Sequence, residues 1–79
     1  MSPEQCRAAR AWLGLSQDDL ASAANVGNST IRDFEAGRRA PIANNLAAIQ
    51  AVLEARGIGF VDGDKTSGIT FTKSTGRRK

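Results

Sequence analysis

Apolar residues recur at three- and four-residue steps from about residue 6 to residue 53, then at two-residue steps from Ile58 to Phe71, which predicts helices followed by a hairpin. Cys6, Ala9, Trp12 and Leu13 form one stripe with Gly14 as a stop behind it, so helix 1 is expected over 3–13 with these four residues, Trp12 and Cys6 included, in the core. Its start is written in Ser2-Pro3-Glu4-Gln5: a hydroxyl to cap, a proline at the first helical position, and a glutamine three residues on to reach back. Ser16-Gln17-Asp18-Asp19 repeats the signal, with carboxylates in the first turn where the helix dipole favours them, and predicts helix 2 over 17–24.

Asn25-Val26-Gly27 interrupts an alanine-rich stretch with residues suited to a tight turn and a valine to bury. Helix 3 is expected over 28–36 and helix 4 over 45–56, the latter capped by Asn44, striped by Leu46, Ile49 and Leu53, and closed by Gly57. Ile58-Gly-Phe60 and Ile69-Thr-Phe71 flank a polar, glycine-containing stretch, which predicts a β-hairpin over 58–72, and a basic tail over 73–79 follows. Residues 1–57 thus form one helical unit.

The chain has 79 residues, one cysteine and no histidine, so an internal disulfide is excluded and both the commonest metal ligand and the commonest general base are missing. No cofactor and no metal site is implied. Asp18 and Asp19 are accounted for by the helix dipole and have no nucleophile beside them, so enzymatic activity is not expected. No apolar run is long enough to cross a bilayer and the N-terminus lacks a secretory layout, making the cytoplasm the expected setting.

The net charge of +3 is unevenly placed: Lys73, Arg77, Arg78 and Lys79 supply four of the eleven cations, leaving seven against eight acids over residues 1–72. Affinity for nucleic acid must therefore come from a local cluster. Helix 3 offers one. At ~100° per residue, positions 28, 29, 32, 33 and 36 share an arc of about 140°, while Ile31 and Phe34 occupy the other side. Asn28, Ser29, Arg32 and Asp33 are the candidate base contacts, because Asn pairs with adenine, Arg with guanine, Ser with several partners, and Asp accepts from the cytosine amine. Arg38 and Arg39 follow the helix, placed for phosphates. Asp33 is the discordant member, repelled by phosphate unless it meets a cytosine amine or a cation.

Helix 2, a three-residue turn and helix 3 are the parts of a helix-turn-helix. Ser16-Gln17-x-x-Leu20-Ala21-x-x-Ala24-Asn25-Val26-x-x-Ser29-Thr30-Ile31-x-x-Phe34-Glu35-x-Gly37-Arg38-x-x-Pro41 resembles the pattern of the Xre/Cro-like (lambda-repressor-like) family over about residues 3–56. The resemblance implies a mainly α, four-helix DNA-binding domain, here followed by a hairpin. It also implies that Gln17 clamps the DNA backbone and that Arg10 and Glu35 form a structural ion pair between helices 1 and 3. The expected partner is a double-stranded DNA operator, and the expected role is regulation of transcription, more specifically repression, which needs only site occupancy. Palindromic operators suggest a homodimer, with Phe60, Ile69 and Phe71 of the hairpin as its contact. The competing reading is a helix-turn-helix turned to protein binding, either an antiactivator that caps another transcription factor or the antitoxin that binds a toxin. Asp33 and the acidic balance of residues 1–72 favour it. The tail cations serve equally as phosphate contacts or as a solubilising end.

Overall fold

The computed structural model describes residues 1–73. Four helices, α1 (Pro3–Leu13), α2 (Gln17–Ala24), α3 (Asn28–Glu35) and α4 (Ala43–Ala55), precede two antiparallel strands, β1 (Ile58–Asp62) and β2 (Ser67–Phe71). The basic tail, from residue 74 onward, lies outside the described residues.

Both capping boxes form. The Ser2 hydroxyl accepts from the Gln5 N–H at 3.1 Å while the Gln5 side-chain oxygen accepts from the Ser2 N–H at 2.7 Å, and Ser16 and Asp19 exchange the same pair of bonds at 2.9 and 3.0 Å. Asn25 closes α2 in the left-handed conformation with φ 57°, turning the chain into α3. At eight residues, α3 is too short to persist alone and has no side-chain cap. Tertiary burial of Ile31, Phe34 and Glu35 holds it instead.

Leu20, Ile31, Ile49 and Leu53 are fully buried at the centre, together with Cys6 and Ala9. Each large aliphatic side chain contributes about 1.5–3 kcal/mol relative to exposure. Phe60 and Ile69, paired across the hairpin, are half-buried against this core, and Ile58 is buried in it. The helical bundle is therefore what covers most of the hairpin's apolar face. Gly57 joins α4 to β1 at φ 104°, and a Cβ there would meet the Thr72 carbonyl oxygen at 2.8 Å, so the junction requires glycine.

Three local expectations are revised. Helix 4 starts at Ala43 with Ile42 at the cap position, so Asn44 is not the cap but a first-turn residue. Helices 3 and 4 each end one residue earlier than expected, at Glu35 and Ala55, with Ala36 and Arg56 as their C-caps. Trp12 is not core: it is 64% exposed, its ring 5.6 Å from that of Phe71. The reason lies in the width of the α1 stripe. Cys6, Ala9 and Leu13 point at the helices, whereas Trp12, seven residues after Gln5, shares the flank that meets the hairpin.

That flank carries a contact the periodicity does not reveal. Gln5 is only 3% exposed, and its side-chain nitrogen donates to the Gly68 carbonyl at 2.8 Å and the Val61 carbonyl at 3.1 Å, with Asp62 Oδ1 at 3.4 Å. Val61 and Gly68 are opposite one another in the ladder. One amide therefore caps α1 with its oxygen and pins both strands with its nitrogen.

Candidate nucleic-acid interface

The second and third helices are positioned by a buried carboxylate. Glu35, 3% exposed, accepts from Arg10 Nε and Nη2, both at 2.8 Å, from Gln17 Nε2 at 3.0 Å and from Cys6 Sγ at 3.3 Å. Burial pushes this carboxyl up, but the hydrogen bonds from Arg10, Gln17 and Cys6, with the Arg10 charge, outweigh it and hold it below its ordinary value. The same bond raises the Arg10 guanidinium further. Cys6, buried and facing a carboxylate, is pushed up to about 12 and stays a thiol. The guanidinium of Arg7 donates to the Glu35 backbone carbonyl, covering the C-terminal end of α3.

With its apolar side fastened in this way, α3 turns its polar side outward. Asn28, Ser29 and Arg32 are exposed and Asp33 is half-buried. Arg38 and Arg39 are exposed just beyond the helix, and Gln17 is half-buried at the start of α2. The N–H groups of Gln17 and Asp18 in that first turn find no acceptor among the described residues.

A helix-turn-helix family model matches residues 7–57. The chain belongs to the Xre/lambda-repressor-like helix-turn-helix family. It is accordingly a DNA-binding regulator. A search of curated proteins finds no match. Among the described residues, no helix is long and apolar enough to cross a membrane.

Within this helix-turn-helix, two polar residues of the α3 face already have partners. Asn28 Nδ2 donates to Asp18 Oδ1, linking the starts of α2 and α3. Asp33 Oδ1 accepts from Arg38 at 3.2 Å from Nη2 and 3.4 Å from Nε. The carboxylate that looked discordant in the sequence is thus neutralised by a cation five residues on. Arg32 and Arg39 make no ion pair among the described residues. The α3–α4 loop adds Ile42, 69% exposed, beside Ser29, Asp33 and Arg39 in one open recess. Sequence reading passed over it because an isolated exposed isoleucine leaves no periodic mark.

Proposed function

We propose that the protein is a transcriptional repressor that reads an operator with α3 in the major groove. The observation carrying this reading is the division of α3 itself: Ile31, Phe34 and Glu35 are locked into the bundle, and Asn28, Ser29 and Arg32 stand open to solvent on the other side. A rigid helix with an uncovered polar face matches the width and chemistry of the groove. Asn28, Ser29, Arg32 and Asp33 are the base readers. Arg32 contributes most to sequence choice, since it makes no ion pair among the described residues. Gln17, Arg38 and Arg39 contact phosphates: Gln17 through its open first-turn N–H, with its side chain steadied by Glu35, and the two arginines from beyond α3. Occupancy of a promoter site is enough to repress.

The active species is a homodimer joined through the hairpin. Two copies would set their recognition helices about 34 Å apart, one turn of DNA. Support comes from what the bundle leaves uncovered: Phe71 and Trp12 remain exposed and, with Ile69 and Thr70, border an open recess, while Phe60 is half-buried. The two-stranded sheet also has unpaired edges suited to pairing across a two-fold axis. Sedimentation at micromolar concentration is expected to give a dimer, and Trp12→Ala with Phe71→Ala a monomer.

Selection of binding sites from random duplexes tests the reading as a whole. A palindromic site is expected, with log K falling against log[salt] at a slope of about −3.6 for the roughly four phosphates neutralised by Arg38 and Arg39 of the two protomers. Arg32→Ala relaxes the selected sequence, whereas Arg39→Ala weakens binding evenly. Recovery of no site at all would instead favour the protein-binding reading, in which the same face caps a transcription factor or a toxin.

A further inference from the structure

We propose that Ile42 is a specificity-determining residue of the DNA interface, receiving the 5-methyl group of a thymine at the edge of the groove; the inference rests on the DNA-binding reading of α3. Ile42 occupies the N-cap of α4 and provides no capping hydrogen bond, a position at which Ser, Thr, Asp or Asn would satisfy one of the helix's open N–H groups. Nor does it serve the core, being the most exposed of the large apolar side chains among the described residues. A residue that breaks the local rule for helix starts and gains no burial in return marks a place shaped by something outside the chain.

Its surroundings indicate what that is. Ile42 lines one open recess with Ser29, Thr30 and Asp33 of α3 and with Arg39 and Asn45, so it belongs to the same surface as the polar readers. Pro41 before it has a fixed φ and stiffens the approach. Along the major groove the base edges present hydrogen-bonding groups and a single apolar feature, the thymine methyl. An isoleucine held beside a groove-reading helix has no other apolar base-edge partner.

The test uses the full chain and its selected site. Each thymine is replaced in turn by deoxyuridine, which removes only the methyl, and binding is measured for wild type, Ile42→Ala and Ile42→Ser. One thymine per half-site is expected to matter, its methyl loss weakening wild type about fourfold. The same replacement leaves both variants unchanged. Ile42→Ser, which restores a capping hydroxyl, melts above wild type while still losing the discrimination, so the binding loss is not a folding loss. A flat deoxyuridine scan in wild type overturns the proposal, as does an equal methyl effect in wild type and Ile42→Ala, which would place Ile42 against deoxyribose or nowhere. Failure to select any site defeats the DNA reading and this inference with it, whereas a selected site with a flat scan defeats this inference alone.

Discussion

Replacing Arg10 by methionine tests whether the Glu35 cluster holds the recognition helix. The substitution keeps the aliphatic stem and deletes the guanidinium, taking away two of the four side-chain hydrogen bonds to Glu35 and the bond from Nη1 to the Leu15 carbonyl at 3.0 Å. Glu35 is left as a nearly buried anion facing only Gln17 and Cys6. Orphaning one partner of a buried pair costs about 3–5 kcal/mol. The Arg10 side chain is 21% exposed, so water reaches one edge of the pair and the lower end, ~3 kcal/mol, applies. A domain of this length has roughly 4–12 kcal/mol in total, so at pH 7 the urea midpoint followed by circular dichroism is expected to fall by about 2–3 M.

The pH dependence distinguishes a charge effect from lost packing. In wild type the Glu35 carboxyl is held below its ordinary value, so its contribution is complete above that value and is lost as the pH falls through the depressed one. Without Arg10, burial prevails and the carboxyl moves above its ordinary value, so the variant regains ground as the pH falls through that raised value. The gap between the two proteins should therefore narrow on acidification. A gap under about 1 kcal/mol at neutral pH, or one that stays constant from neutral to acid, would refute the reasoning.

Gln5→Ala removes the amide that pins the hairpin, costing about 1–3 kcal/mol, and amide exchange should accelerate in β1 and β2 before it does in α2 and α3. Asp33→Asn removes a carboxylate from the α3 face and releases Arg38 from an exposed pair, leaving stability within about 1 kcal/mol but raising affinity for non-specific DNA; unchanged binding would mean that this face does not approach phosphate. Because the Cys6 thiol is held above its ordinary value, the stability it contributes is full below that value and declines as the pH rises toward about 12. Melting temperatures of wild type and Cys6→Ala should therefore converge with increasing alkalinity, and parallel curves would argue against a buried, proton-retaining thiol.

Periodicity and capping chemistry in the sequence are local properties, and they were enough to determine the number and order of the helices, both capping boxes, the hairpin, and the split of α3 into an apolar and a polar side. Ser2 with Gln5 and Ser16 with Asp19 act within a single turn, so their bonds follow from spacing. The start of α4 did not, because Asn44 reads as a cap only until Pro41 and Ile42 are seen to set the helix entry. The spacing of Trp12 fits the stripe and points to the core, but only the position of the hairpin decides which edge of that stripe meets a neighbour and which meets water. The tertiary structure alone brought Gln5 to strands more than fifty residues away and left Ile42 bare beside the recognition helix. Such contacts depend on how separate elements pack, and the period of a single element carries no information about its neighbour.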